Sequence, residues 1–400
     1  MIVLVVNSGS SSIKYKLLDM AAGESLAGGI VERVGTQDAV LTHWVLGGGQ
    51  KTRHRPVADH SVGIEMMLQV LTSSFGPLDD LSQVDAVGHR VLHAADKYSG
   101  SVRVTEEVIE ALRLASDLAP LHNPPNLAGI RACQKAMPDR PHVCVFDNAL
   151  HHTLPREVYT YALPYEYYEK HGIRRYGFHG IAFRSAFERA EAIIGAPIDT
   201  MKVVTLMMGS GNTANAYDHG RSVEVSTGLT PQEGLVQSTR AGDLDAAIVP
   251  HLMQREGLGP AQVTEMLNKR SGWLGISGIS ADLRDVIEAA HRGHDRAQLA
   301  LDIHARRARK YVGAYAAAMG GIDILIFAGS VGQKAPSVRA AICEGLQFMG
   351  LSLEPELNRC TQQEGLLSSP DSPCPIVVVS VDEELVIARD TVAVVEGTVC

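Results

Sequence analysis

Two segments about 200 residues apart follow one plan. Near the N-terminus, Val5-Val6-Asn7-Ser8-Gly9-Ser10-Ser11-Ser12-Ile13-Lys14-Tyr15 reads as a strand, a small-residue turn and a second strand. Met207-Met208-Gly209-Ser210-Gly211-Asn212-Thr213-Ala214-Asn215-Ala216-Tyr217 repeats that plan at the opening of the second half. A hairpin that recurs at the head of each half predicts a duplicated domain with a cleft between the copies. Turns of Gly and Ser leave backbone N–H groups open to close approach by a phosphate. Either turn alone reads equally well as an ordinary tight turn; the pair points towards phosphate binding.

The rest of the chain alternates β-rich runs with helical periodicity, as α/β proteins do. Strands are predicted at Ile2–Val6, Val84–Val91, His142–Phe146, Lys202–Met208, Ile322–Phe327 and Pro375–Val381. Helices are predicted at Glu106–Leu118, Ala182–Ile194, Ala297–Met319 and Ser337–Phe348. Prolines make Ala119–Asn126 a loop, expected near the cleft. Ala328-Gly329-Ser330-Val331-Gly332 follows a strand and precedes a helix, an arrangement suited to a nucleotide but common in α/β proteins.

Composition narrows the function. The chain has 400 residues, enough for two domains, and 45% hydrophobic with 20% charged residues is a globular balance. A formal net charge of −9 without a Lys/Arg run argues against a nucleic-acid partner. The N-terminal apolar run is too short for a signal peptide, and no stretch is long enough to span a bilayer. Cys133, Cys144, Cys343, Cys360, Cys374 and Cys400 show no paired spacing, which suits reduced thiols in a cytoplasm.

Several polar residues sit where chemistry is expected. Arg90 and Arg240 lie in loops or at strand ends, where a guanidinium fork suits phosphate or carboxylate, although a surface ion pair is the commoner role. Asp147, Glu383 and Glu384 follow strands, where a carboxylate can reach a divalent cation; one of the two glutamates can equally serve the helix dipole. His179 lies between glycines in Tyr176-Gly177-Phe178-His179-Gly180. His151-His152 lacks the spacing of a zinc site.

Taken together these motifs resemble the acetate kinase family, within the actin-like, sugar kinase and Hsp70-like ATPase superfold. The resemblance runs nearly end to end and is strongest at Asn7–Tyr15, Gly88–His93, Ala119–Asn126, Val145–His151, Arg175–Gly180, Gly228–Asp245, Ser277–Asp285 and Glu383–Thr391. It implies two ribonuclease-H-like α/β domains flanking a cleft that closes by hinge motion, residues 1–148 with 385–400 and residues 149–384, and a homodimer. It implies reversible transfer of the ATP γ-phosphoryl group to acetate or propionate, with Mg²⁺ or Mn²⁺ and ATP/ADP. By position, Asn7, Ser10, Ser12 and Lys14 belong to the first phosphate hairpin, with Asn7 and Glu383 at the metal and Asp147 governing it. Arg90 and Arg240 would hold the carboxylate and the phosphoryl group, and His179 would add a donor. Leu92, Leu121, Phe178 and Pro231 match a pocket for the acid's alkyl end. Met207, Gly209, Ser210, Gly211, Asp282, Leu283, Arg284, Ser330, Val331 and Gly332 match the nucleotide side.

Three places depart from the family pattern. The second phosphate loop, usually His-Leu-Gly-Asn-Gly, is Met207-Met208-Gly209-Ser210-Gly211, and a methionine cannot donate to phosphate. Thr-Ser-His after His179-Gly180 is replaced by Ile181-Ala182-Phe183. Gly-Ile-Gly-Glu-Asn is replaced by Ser330-Val331-Gly332-Gln333-Lys334, which adds a side chain and a positive charge. The Arg, His and carboxylate set is intact, so the chain reads as a divergent kinase. Another phosphoryl donor, such as pyrophosphate or a different nucleotide, and a non-catalytic nucleotide sensor remain alternatives. One methylene is worth only about 1–3 kcal/mol of discrimination, so acetate, propionate and butyrate are not separated, nor is the direction of reaction.

Overall fold

The computed structural model describes residues 1–120, 122–361 and 363–398. The chain divides into two compact units, Met1–Leu150 with Asp382–Cys400, and His151–Val381.

The first unit is built on eight strands: β1 (Ile2–Ser8), β2 (Ser12–Asp19), β3 (Glu24–Glu32), β4 (Val40–Val45), β5 (Gly49–His54), β6 (Ala86–Val91), β7 (Val102–Arg103) and β8 (His142–Phe146). Their order is β5-β4-β3-β2-β1-β6-β8-β7. The second unit has β9 (Lys202–Met208), β10 (Asn212–Asp218), β11 (Arg221–Val225), β12 (Ile324–Ala328), β13 (Gly365–Leu366) and β14 (Ile376–Val379), in the order β11-β10-β9-β12-β14-β13. The duplication extends well beyond the hairpins. In each sheet a three-strand antiparallel meander is followed by two parallel strands and a two-residue antiparallel edge strand. The first sheet adds only β4 and β5 to that plan.

Strands in the middle of each sheet are apolar on both faces because helices cover both. Leu4 and Val6 of β1 join Ile64, Met67 and Cys133 from the helices His60–Leu71 and Asn123–Ala136. The C-terminal helix Glu383–Glu396 packs on β1, β6 and β8. In the second unit, Val204, Leu206 and Phe327 meet Ala305, Ala308 and Val312 of the long helix Asp295–Met319.

Three sequence expectations need correction. Ala119–Asn126 is not wholly loop: a helix begins at Asn123, with prolines in its first turn, where a missing N–H costs nothing. Ala328–Gly332 is not a turn ahead of a helix, because Gly329–Lys334 is itself a helical turn and a second helix starts at Pro336. Only glycine suits position 329, since φ is +78° and a Cβ would come 2.5 Å from the Met208 carbonyl oxygen. The helices predicted to reach Leu118 and Phe348 stop at Leu114 and Cys343, each followed by a short 3₁₀ turn.

Four buried histidines are held neutral. His142 donates from Nε2 to the Met137 carbonyl (3.1 Å), so its Nδ1 accepts from His89 Nε2 at 3.0 Å. Burial drives the His89 pKa well below the usual value, with the His142 charge adding to the effect. Burial also lowers His142 and takes His93 and His304 down to about 4.

Two stability predictions follow from this packing. A Cβ at Gly88 would strike Thr391 Oγ1 and, at 2.9 Å, Ile387 Cγ2 of the C-terminal helix. Gly88→Ala should therefore lower stability by about 1–3 kcal/mol in urea unfolding, with part restored by Thr391→Ala; an unchanged midpoint would show that the helix does not dock this closely. For the histidines, the unfolded chain binds protons near pH 6.5 while the folded chain refuses them until lower pH. Stability should then be full above about pH 6.5 and fall towards pH 4, by about 1.4 kcal/mol per pH unit for each histidine involved. A flat stability profile between pH 7 and 5 would contradict neutral burial.

Candidate functional site

In the first unit, β1 and β2 are joined by Gly9-Ser10-Ser11, closed by Gly9 N–H donating to the Ser12 carbonyl at 2.8 Å. Ser10 is exposed at the tip. Register places Asn7 opposite Lys14 on one side and Arg90 on the other, so the three share a face of the sheet. Ser12 lies on that face by alternation.

Arg90 is the penultimate residue of β6, and its Nη2 donates to Asp147 Oδ2 at 2.9 Å just beyond β8. Its Nη1 lies 3.5 Å from Asn7 Oδ1, and its Nε lies 4.0 Å from Glu383 Oε2 at the start of the C-terminal helix. Burial opposes the charge on Arg90, but Asp147, Glu383 and Glu384 outweigh it and raise its pKa. The same crowding acts on Glu383. Burial raises its carboxyl to about 7, Arg90 pulls it down, and Asp147 and Glu384 push it up. Lys16 anchors the helix start through Asp382 at 2.8 Å and Glu384 at 3.8 Å.

Leu92 is buried beside this cluster in sequence, its backbone N–H donating to Asn126 Oδ1 at 3.1 Å. Asn126 in turn donates to the Ser8 carbonyl at 2.7 Å, and Asn123 donates to the His93 carbonyl at 3.0 Å. The segment read from sequence as a loop is thus a brace between the ends of β1 and β6. Leu121 lies outside the described residues.

In the second unit, β9 and β10 are joined by Gly209-Ser210-Gly211, a turn of the same length as its counterpart. Gly209 N–H donates to Asn212 Oδ1 at 2.8 Å, and Ser238 donates from both its N–H and its hydroxyl to the Ser210 carbonyl. His179 sits at the start of the helix Gly180–Ile194 in left-handed backbone, φ 65°, a rare conformation for a residue with a Cβ. Its Nδ1 lies 2.8 Å from Thr213 Oγ1 on β10. Phe178 is buried, with its N–H on Thr227 Oγ1, and Pro231 is half-buried. The apolar Ile181, Ala182 and Phe183 that follow His179 are buried in the first turn of the helix.

Arg240 differs from the two arginines that pair with carboxylates of its segment. Arg175 pairs with Glu233 at 2.7 Å and Arg307 with Asp243 at 3.3 Å, and both carboxylates are in the same Gly228–Asp245 segment. Arg240 has no carboxylate within ion-pair distance among the described residues; its side chain donates from Nη1 to the neutral Gln237 Oε1 at 3.3 Å. Burial consequently lowers its pKa, with nothing opposing.

A cavity of about 500 Å³ opens beside the Gly209–Ser210 turn. Of the residues predicted for the nucleotide side, Gly209, Ser210, Asp282, Leu283, Arg284, Ser330 and Val331 line it. Met207, Gly211 and Gly332 are not among its lining residues; Met207 and Gly332 are buried in packing. Ser330 Oγ would be 3.5 Å from a Cβ at Gly209, so its side chain faces the turn. Asp282, whose carboxyl is held down at about 2 by Arg284, caps the helix Leu283–His291. Sequence reasoning missed Trp273, Ala281, Ile287 and Ala335. Trp273 is one of two tryptophans, and its Nε1 donates to the Ala281 carbonyl at 2.9 Å, but nothing in its neighbourhood in sequence marks it as a lining residue.

Comparison with known proteins gives one consistent result. The model of the acetokinase family matches residues 2–389. An acetate kinase of Halothermothrix orenii is 47% identical over 396 residues, covering 99% of this chain and 100% of that one. An acetate kinase of Caldanaerobacter subterraneus is 47% identical over 397 residues, with 99% of each chain covered. The crystal structure of Porphyromonas gingivalis acetate kinase superposes with a TM-score of 0.93 at 42% identity, covering 98% of this chain and 99% of that one. A propionate kinase from Francisella tularensis superposes with a TM-score of 0.91 at 34% identity, with 98% of each chain covered.

Proposed function

The chain belongs to the acetokinase family, and on that premise we propose that it reversibly transfers the γ-phosphoryl group of ATP to a short-chain carboxylate, acetate or propionate, giving an acyl phosphate and ADP. The observation that carries this reading is Arg240, a largely buried guanidinium whose charge no carboxylate among the described residues balances. Such a group is a seat for an anion from solution.

The acceptor explains why so little acid–base machinery is needed. A short carboxylic acid is already ionised at neutral pH, so its oxygen can attack the γ-phosphorus without losing a proton. One P–O bond forms as the bond to the β-phosphate oxygen breaks, and ADP leaves as the anion. What the protein must supply is alignment and positive charge. In this reading Arg240 and His179 hold the transferring phosphoryl group, and Arg90 holds the carboxylate. The Gly209–Gly211 turn and the Gly9–Ser12 turn offer backbone and hydroxyl donors to phosphate oxygens. The 500 Å³ cavity takes the nucleoside, its apolar lining including Trp273 and Val331. Leu92, Phe178 and Pro231 bound the alkyl end of the acid.

Among the described residues no group of three or more His, Cys, Asp and Glu side chains is arranged to hold a metal alone, so a divalent cation at the first unit's donor set would draw part of its shell from substrate and water. Three carboxylates, Asp147, Glu383 and Glu384, crowd Arg90, and Glu383 is pushed to about 7 by burial and by its acidic neighbours. Mg²⁺ characteristically takes one or two carboxylates and completes its shell with water and substrate phosphates. Glu383 and Asn7 would hold it, with Asp147 setting the position of Arg90 beside them. When bound, Mg²⁺ supplies charge neutralisation on the phosphates. Mn²⁺ would serve the same donor set, and a homodimer in the cytoplasm completes the proposal. Burial raises the thiols of Cys133 and Cys343 to about 12, and no helix among the described residues is long and apolar enough to cross a membrane.

A second reading keeps the carboxylate chemistry with another donor. Ser330 faces the Gly209 turn and Lys334 lines the cavity, which changes the size and charge offered to a base.

Hydroxylamine trapping of acyl phosphate tests both. Purified protein with Mg²⁺ should turn over acetate or propionate with ATP, and Arg240→Ala should lower kcat/KM by about a hundredfold or more, as expected for loss of a charged hydrogen-bond donor. Turnover with GTP or pyrophosphate alone would select the second reading. No turnover with any donor, in a folded protein, would leave a nucleotide-binding sensor.

A further inference from the structure

Gln237 accepts the side-chain hydrogen bond of Arg240, and it is 1% exposed. The two residues end a four-residue turn closed by Gln237 N–H donating to the Arg240 carbonyl at 3.2 Å. Their side chains meet at 3.3 Å, Arg240 Nη1 donating to Gln237 Oε1. The other end of the amide is also committed, with Nε2 donating to the Pro231 carbonyl at 2.7 Å. These partners fix the orientation of the amide. A carbonyl only accepts and a guanidinium only donates, so the nitrogen must face Pro231 and the oxygen must face Arg240. A Cβ at Gly211 would lie 3.5 Å from Gln237 Oε1 and 3.4 Å from His179 Cε1, so the amide also borders the turn and the histidine ring.

The chemistry of the acceptor matters more than its presence. A carboxylate here would orient the guanidinium and cancel its charge, as Glu233 does for Arg175 and Asp243 for Arg307. A neutral amide orients it and leaves the charge standing. Arg339 shows the other way to bury a guanidinium without a carboxylate. Its Nε, Nη1 and Nη2 are all engaged, by Asn358 and the carbonyls of Gly332 and Gln333, so no donor is left for a ligand. Arg240 makes one side-chain hydrogen bond and keeps the rest of its fork available.

We propose that Gln237 is a positioning and charge-tuning residue: it aims the Arg240 fork and ties it to the Pro231 segment while preserving the full positive charge that an acyl phosphate or γ-phosphate needs. The inference rests on the reading of Arg240 given above and adds a residue that acts through it.

The test is a double-mutant cycle on the full-length protein, with Gln237→Glu, Gln237→Leu, Arg240→Ala and both doubles. Measured quantities are kcat and KM for acetate and acetyl phosphate, the dissociation constant for ADP, and Tm. Gln237→Glu, which keeps the shape and adds a compensating charge, should lower kcat/KM for acetyl phosphate by at least about tenfold, the scale of a hydrogen bond to a charged group. Gln237→Leu should lower it by a similar or smaller factor. ADP lacks the γ-phosphoryl group, so its binding should stay within twofold of wild type (roughly 0.4 kcal/mol); a general collapse of the loop would weaken it too. In the Arg240→Ala background, the Gln237 substitutions should cost nothing further. If Gln237→Leu does not fold, Gln237→Glu carries the test. Wild-type kinetics in Gln237→Glu with an inactive Arg240→Ala would overturn the inference, as would an undiminished Gln237 effect in the Arg240→Ala background. An active Arg240→Ala would overturn the reading of Arg240 and the inference with it.

Discussion

A strand that pairs antiparallel with its own hairpin partner and parallel with a much later strand brings three chain segments to one sheet end, and both sites depend on this. β1 does it in the first unit, placing Asn7 between Lys14 and Arg90. β9 does it in the second, placing Met207 between Thr213 and Ala328. The parallel neighbour makes the placement non-local. Arg90 is 83 residues from Asn7, and no short-range pattern could bring them into register. One topology therefore carries two chemistries. The first sheet ends in charge, with Arg90 and Asp147; the second ends in small residues, with Gly209 and the helical turn after Ala328.

The electrostatic contrast between the two arginines organises the chemistry. Arg90 is locked by Asp147 at 2.9 Å and surrounded by Glu383 and Glu384, so its fork is held in one orientation and part of its charge is neutralised. Arg240 is given an amide in place of a carboxylate, and its charge stays exposed to whatever anion arrives. A carboxylate acceptor brings one negative charge and a nucleotide brings several. On the proposed reading, the acid side chains gathered at Arg90 suit a cation held with substrate phosphates, and the guanidinium of Arg240, which no carboxylate among the described residues balances, suits a phosphoryl group.

Much of this was legible in the sequence. The repeated hairpin predicted the duplication because small turn residues between β-rich runs are a local signal, and His142–Phe146 and Lys202–Met208 emerged with the expected bounds. Seven of the residues expected on the nucleotide side line one cavity. What escaped were features set by distant partners. The prolines of Ala119–Asn126 suggested a loop, whereas they begin a helix whose Asn126 holds Ser8 and Leu92, residues far away in the chain. Trp273 reaches the cavity from the short helix Gly272–Ser277, which the sequence reading did not single out, and Ile287 from one turn beyond the predicted Asp282–Arg284 stretch. Gln237 looked like one polar residue in a polar loop, and only the geometry of Arg240 and Pro231 gives it meaning.

The account stands on a planar, uncompensated guanidinium at Arg240, and a charge-conserving change tests that most directly. Calorimetric binding of a non-hydrolysable acyl-phosphate analogue should be compared between the wild type and Arg240→Lys. Lysine keeps the charge and loses the fork, so the account predicts affinity weaker by about tenfold or more, since bidentate recognition is not reproduced by an ammonium. Unchanged affinity would mean that the phosphoryl group is held elsewhere and would contradict the central role given to Arg240.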